Sequence, residues 1–398
     1  MITQQAELTA LVARAREAQA VALDTEFVWE RTYYPRLGVV QLGLGRDDVH
    51  LLDAVALDLR PLGALLEDPS VVKVLHDAVQ DLTILRRAAG GATPVNIFDT
   101  QRAAGFVGLT ATLSLQDLFA QTAGVSLPKG ATRSNWLKRP LSEEQTAYAE
   151  DDVRYLLEAM RVLLDRASSR GRRAWVEEEM RRYDDGSLYE EEPSERAMSR
   201  VKGRGLRGLS GVQRAVLQEL AAWREEEARD RDLPRRRVLD DEVLVEAARR
   251  MPDRIESLSV RGTPDKVLRR HADALLGAIE RGRALPPEAR PSRPSRPEDE
   301  DRIQAATTLL QSAVAGRCQR EGIDPALVAT KSDLRALVEE GPDPEVHEVL
   351  RGWRRTFLGD DLLGLLTGDA SVTLDPDGWP RFAGRTRASD DGRSDPQG

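Results

Sequence analysis

One cysteine in 398 residues, Cys318, leaves no partner for an internal disulfide and no ligand set for a multi-cysteine metal site. It reads as a small buried apolar residue. Four histidines make zinc chemistry an equally poor fit. No apolar run approaches the ~20 residues that cross a bilayer. The opening MITQQAELTA has neither the basic n-region nor the apolar core of a signal peptide, so a cytoplasmic protein is expected. Positive charge is also in short supply. The formal net charge is −9, and no global field draws a polyanion to the molecule. The deficit is uneven, because residues 1–170 hold 18 basic and 22 acidic residues while 206–283 hold 17 basic and 15 acidic ones. A modest basic patch on the middle of the chain is compatible with that distribution. With 40% hydrophobic residues, the length supports two or three domains with real cores.

The first hundred residues alternate elements in an α/β manner. AELTALVARAREAQA has helical periodicity. VALDTEF, LGVVQLGLG and VHLLDAV read as three strands whose short connections favour antiparallel neighbours. LRPLGALLEDPS predicts a helix, VVKVLHDA a fourth strand, QDLTILRRAAG a helix closing on Gly90–Gly91, and VNIFDT a short fifth strand. Helices follow around 101–107 and 114–123, and a long one from about Ser142 to Ala167. The expected first domain, residues 1–170, is therefore a mixed five-stranded sheet flanked by helices. Residues 171–205 mix charge with Gly, Ser and Pro and read as a linker or peripheral segment. Residues 206–283 are all-helical by pattern, and 284–301 form a proline- and charge-rich linker. Residues 302–384 are expected to be helical again, and 385–398 form a disordered tail.

Asp24 and Glu26 interrupt an apolar strand in VALDTEFVWE. Residues two apart on a strand share a face, and buried like charges repel, so something must compensate them: a basic partner, a shared proton or a bound cation. Asp81 opens the helix after the fourth strand, in HDAVQDLTIL. In LSEEQTAYAEDDVRYLLEAM, Tyr148 and Asp152 are four apart and share a helical face, with Asp152 bordering the apolar stripe through Val153, Leu156, Leu157 and Met160. Alone, each admits a bland reading: a sheet-edge ion pair, a first-turn acid or a solvated helix face. Converging on one sheet edge, four acids and a tyrosine call for hard divalent cations with oxygen ligands, and two such ions about 4 Å apart are a known device for displacement at phosphorus.

DTE on a first strand, HDAVQD-L and Y-x-x-x-D on a late helix resemble the DEDDy branch of 3′→5′ exonucleases. DTEFVWERTYYPRLGVVQL, SNWLKRPLS and YAEDDVRYL resemble the ribonuclease D family in particular. LSGVQRAVLQELAAWRE resembles an HRDC domain, and GIDPALVATKSDL the second HRDC-like domain that ends bacterial members of that family. The resemblance covers nearly the whole chain. It implies a ribonuclease H-like α/β exonuclease domain followed by two all-α HRDC-type domains, acting as a metal-dependent 3′→5′ exoribonuclease on tRNA precursors and other structured RNAs and releasing 5′-mononucleotides. It implies two metal ions, Mg²⁺ or Mn²⁺. Asp24 would bridge them, Glu26 and Asp152 would complete the nucleophile-side site, Asp81 would hold the second ion, and Tyr148 would orient the attacking water. Asp77 is a second carboxylate in HDAVQD, but Asp81 is the better match.

Competing readings are a DNA exonuclease built on the same acids, and a nucleic-acid-binding scaffold with a dead site. Intact Asp24, Glu26, Asp81, Tyr148 and Asp152 oppose the second. A helicase is not expected, since no G-x-x-x-x-G-K-[ST] phosphate loop occurs. Tyr33–Tyr34–Pro35 could stack on terminal bases or pack at a turn. Trp136 reads as a structural brace for the loop before the catalytic helix. Lys129, Arg133, Lys138 and Arg139 could contact phosphates or be solvated, Arg235–Arg236–Arg237 is the densest candidate RNA contact, and His76 reads as a local hydrogen-bonding residue.

Overall fold

The structure is a computed structural model that describes residues 1–29, 31–127, 134–258, 260, 263, 265–291 and 299–384. Lys129, Arg133 and the expected tail at 385–398 lie outside the described residues. After helix α1 (Gln5–Arg16), strands β1 (Ala20–Val28), β2 (Arg36–Gly45) and β3 (Asp48–Asp53) form an antiparallel meander. β4 (Val72–Leu75) and β5 (Ile97–Asp99) join parallel to β1 through helical crossovers. The strand order β3-β2-β1-β4-β5 is the mixed sheet expected from the short and long connections. β1 is central, and Val21, Ala22 and Leu23 are at most 2% exposed, so the strand that carries the acids is fixed on both sides.

Three helices seat the site. α2 (Ala78–Ala88) follows β4 and places Asp81 in its first turn. α3 (Glu143–Arg154) begins in a capping box in which Ser142 and Gln145 satisfy each other's backbone amides. It packs across β1, β2 and β3. The single long helix expected over 142–167 is in fact two. The backbone leaves helical geometry at Tyr155 (φ −111°, ψ 1°), where its ring packs against Phe119, and resumes as α4 (Leu156–Ser169).

Residues 171–205 are not the linker their composition predicts. They form α5 (Arg173–Met180) and several short 3₁₀ turns, and Val176, Met180, Tyr183 and Tyr189 are buried in the core of the first domain. Charges that looked solvated are the fasteners. Glu179 accepts from Arg102, from Arg182 at 2.9 Å and from the Trp353 indole at 2.8 Å, and pairs with Arg354 at 2.9 Å. Arg172, also buried, donates to the carbonyls of Phe106 and Gly322.

Residues 206–283 pack around α6 (Gly211–Asp230) in an apolar cluster that also takes in Ala197 and Val201 of the preceding segment. The last block differs from expectation twice. It is not all-helical, because a hairpin of β6 (Ala370–Leu374) and β7 (Pro380–Gly384) follows its helices. Nor is its core separate: Leu310, Val314, Cys318, Trp353 and Phe357 belong to one apolar cluster with the first domain. Cys318 is fully buried, which holds its thiol up at about 12 and leaves it inert. Within this block α7 (Glu300–Glu321) is the long helix. Among the described residues, no helix is long and apolar enough to cross a membrane.

Candidate active site

Asp24, Glu26 and Asp152 each bring one carboxylate oxygen to within 4.8 Å of the others. β1 supplies the first two from one face, and α3 lays Asp152, only 7% exposed, against them. Asp81 reaches the same charge cluster from α2, where the Thr25 hydroxyl donates to its carboxylate. Tyr148, one helical turn before Asp152, donates its hydroxyl to that carboxylate. The five residues singled out in the sequence therefore converge beside the central strand. Asp77 plays a different part: it caps α2 in the left-handed region (φ 59°), and its amide donates to Asp99.

The electrostatics are those of a site short of positive charge. Among the described residues, no lysine or arginine pairs with any of the four carboxylates, and the only near donors are neutral: Thr25, Tyr148 and the Gln41 amide, 3.4 Å from Asp24. Burial raises Asp24 well above the usual carboxylate range, and the charges of Asp81, Asp152 and Glu26 push it further. Burial and then Asp152 hold Glu26 at about 9. Burial lifts Asp152 to about 7 and Asp81 to about 6, the hydrogen bonds from Tyr148 and Thr25 offsetting part of the rise. Gln41 Oε1, the other arm of that amide, is buried without a hydrogen-bond partner. A hard divalent cation takes oxygen donors and replaces the missing charge, so the donor set fits one.

Other expectations resolve differently. Trp136 is buried and packs beside Tyr148, with ring centroids 6.1 Å apart, which makes it a brace for the tyrosine. Gly38 lets that loop approach, since a Cβ there would lie 2.4 Å from the Trp136 carbonyl. Arg139 is neither solvated nor free for phosphate. It clamps Asp53 with two hydrogen bonds of 2.8 and 2.6 Å and also donates to the Gly38 carbonyl. Lys138 is exposed. His76 bonds to Thr100 and the Leu113 carbonyl, as a local residue would. Arg235 is not available to RNA, because it pairs with the buried Glu225, while Arg236 remains exposed. Tyr33 packs rather than waits for a base: its hydroxyl donates to Glu225 at 2.5 Å and so joins the catalytic domain to the next one. Glu225 and Glu179 escape a reading by sequence, since nothing in WREEEAR or WVEEEM marks one glutamate as buried.

Comparison with known proteins decides the family. The sequence matches the 3′-5′ exonuclease family over residues 1–166 and the HRDC domain over residues 213–279. It is 36% identical to the ribonuclease D of Desulfotalea psychrophila over 364 residues, 90% of this chain and 96% of that one. The chain belongs to the ribonuclease D family. Ribonuclease D of Pseudomonas paraeruginosa is 39% identical over 357 residues, 87% of this chain and 92% of its own length. The crystal structure of ribonuclease D from Escherichia coli, an exoribonuclease involved in structured RNA processing, superimposes with a TM-score of 0.81 at 32% identity, covering 92% of this chain and 98% of that one. The carboxylate cluster thus sits in a 3′→5′ exoribonuclease that carries an HRDC domain.

Proposed function

We propose that Asp24, Glu26, Asp81 and Asp152 hold two divalent cations, Mg²⁺ or Mn²⁺, and that the chain trims the 3′ ends of tRNA precursors and other structured RNAs, releasing 5′-mononucleotides. The observation that carries this reading is the set of four carboxylates, Asp152 buried and the other three partly so, with no basic partner among the described residues. When bound, such ions supply the charge that activates water and neutralises the departing oxygen. The residues do the rest. In this reading Asp24 would contribute to holding both ions, and Glu26 and Asp152, within 4.8 Å of it, would complete the nucleophile-side site. Asp81, which accepts from Thr25, would hold the second ion. Tyr148, braced by Trp136, orients the attacking water from beside Asp152. Tyr148→Phe should lower kcat about 10²-fold with little change in metal affinity. Unchanged turnover would remove its role.

The last block is a second, divergent HRDC-type unit in this reading. Its α7, the short helix Pro325–Val328 and the capped helix Lys331–Glu340 repeat the order and spacing of α6, Arg235–Val238 and Asp241–Arg250. Two such units beside the site suit a substrate with a folded body and a single-stranded 3′ end. The test is hydrolysis of a tRNA precursor and a matched DNA strand with Mg²⁺, with Mn²⁺ and with EDTA. Stepwise, metal-dependent shortening of the RNA trailer that slows at the acceptor stem is expected. Rapid decay of unstructured RNA with the precursor left intact would refute the substrate assignment. Comparable cutting of DNA would refute the preference for RNA.

A further inference from the structure

A cavity of about 750 Å³ lies where the catalytic domain meets the HRDC domain, outside the carboxylate cluster. Trp29, Tyr33 and Tyr34 wall it on the catalytic side, and Ile84, Arg86 and Arg87 of α2 form its floor. Two of the three elements that carry the acids, β1 and α2, lead towards it. Trp29 is three residues beyond Glu26, about 10 Å along an extended chain. Arg86 is five residues beyond Asp81, about 7 Å along a helix.

The lining has two kinds of unused capacity. Trp29 is 56% exposed, although its indole is held in place by a 3.2 Å hydrogen bond to the Tyr33 carbonyl and by edge contact with Phe27. Tyr34 adds a second ring, with the Arg87 guanidinium 3.2 Å from its centroid. Arg86 is the uncommitted cation. Its Nε is buried without a hydrogen-bond partner, and among the described residues it forms no ion pair. The other arginines are committed: Arg229 and Arg235 bond Tyr33, and Arg200 pairs with Glu225. An acidic rim, Glu190–Glu192, is largely matched, Glu191 by Arg87 and Arg229 and Glu192 by Arg200. A flat uncovered ring and an uncompensated guanidinium lining one cavity can take a π face joined to a phosphate, which is a nucleotide unit.

We infer that this cavity is a nucleotide subsite for the single-stranded RNA about three nucleotides 5′ of the one being removed, with a base stacked on Trp29 and a backbone phosphate on Arg86. The inference rests on the exoribonuclease reading. A separation of about 10 Å corresponds to roughly three stacked nucleotide steps. RNA of two nucleotides held at the metal site is therefore too short to reach it, whereas a ten-nucleotide strand fills it.

Steady-state kinetics on an RNA dinucleotide and on a single-stranded RNA 10-mer, with wild type, Trp29→Ala, Trp29→Phe and Arg86→Gln, test this. Trp29→Ala and Arg86→Gln should each raise KM for the 10-mer about tenfold and leave kcat/KM for the dinucleotide within about twofold of wild type. Trp29→Phe should recover most of the loss, because it retains a stacking face. Equal losses on both substrates would show that these residues act through the metal site or the fold, and would overturn the subsite. No loss on either would place the cavity off the RNA path and overturn the subsite as well. A wild type that degrades neither substrate would remove the exoribonuclease reading, and the subsite with it.

Discussion

Asp24→Asn should lower hydrolysis by at least about 10³-fold and yet leave the metal-free protein at least as stable as wild type. The two halves of that expectation come from one feature. Asp24 sits amid three other acids, with only neutral donors for company, so its charge has value only when a cation is present. Asparagine keeps the shape and removes one member of a repelling set. The pH dependence follows with a definite sign. An acid whose folded pKa is raised favours the fold while protonated, so its contribution is present below the unfolded value near 4 and is lost as pH rises through the folded values. Here those are about 6 for Asp81, about 7 for Asp152 and about 9 for Glu26. In EDTA the wild-type melting temperature should therefore fall from about pH 4 up to about pH 9, most steeply below pH 6 where all three acids contribute, and less steeply in Asp24→Asn. Saturating Mn²⁺ should reverse the fall for wild type only, because the ion takes the deprotonated form. Differential scanning calorimetry across that range, with and without metal, is the measurement. A variant that melts several degrees below wild type in EDTA would show that the cluster is held by something other than a cation.

The acids were legible because they break a local rule. Two carboxylates in the middle of an apolar strand have no account in periodicity, and Tyr148 and Asp152 lie on one helical face. The sheet order was legible too, since short connections force antiparallel neighbours and helical crossovers force parallel ones. What stayed hidden depends on distant pairing. Arg139 reads as a loop cation until Asp53, far back in the chain, is found beneath it. Arg235 heads a run of three arginines, yet its partner Glu225 is buried on the neighbouring helix and is also bonded to Tyr33. In 171–205 the abundance of charge suggested solvent, while the few apolar residues, Val176, Met180 and Tyr183 among them, were enough to bury the segment. Composition averages over residues, and burial is decided by which few of them face inward.

Glu179→Ala should be the most destabilising single change outside the active site, costing about 3–5 kcal/mol. The wild-type carboxylate is 3% exposed and stands among Arg102, Arg182, Arg354 and the Trp353 indole. Burial alone would raise its pKa, but Arg102 and Arg354 outweigh that and hold it at about 2. A depressed acid stabilises the fold above its unfolded value near 4.5, and the contribution is lost as pH falls towards 2. The variant should therefore lack a component of acid unfolding that wild type shows. The size of the effect comes less from the value of the pairs themselves than from what alanine leaves behind. Arg354 is buried, with the carbonyl of Leu327 its remaining short-range acceptor besides Glu348, and the Trp353 indole would lose its acceptor inside the cluster shared by the catalytic domain and the last block. Because Trp353, Arg354 and Glu179 sit on that seam, the loss should also loosen the last block first, giving urea unfolding in two steps where wild type shows one. Glu179→Gln keeps an acceptor for the indole and should lose about half as much. A loss under about 1 kcal/mol for alanine, or an acid limb identical to wild type, would show that the seam is held by its apolar contacts alone.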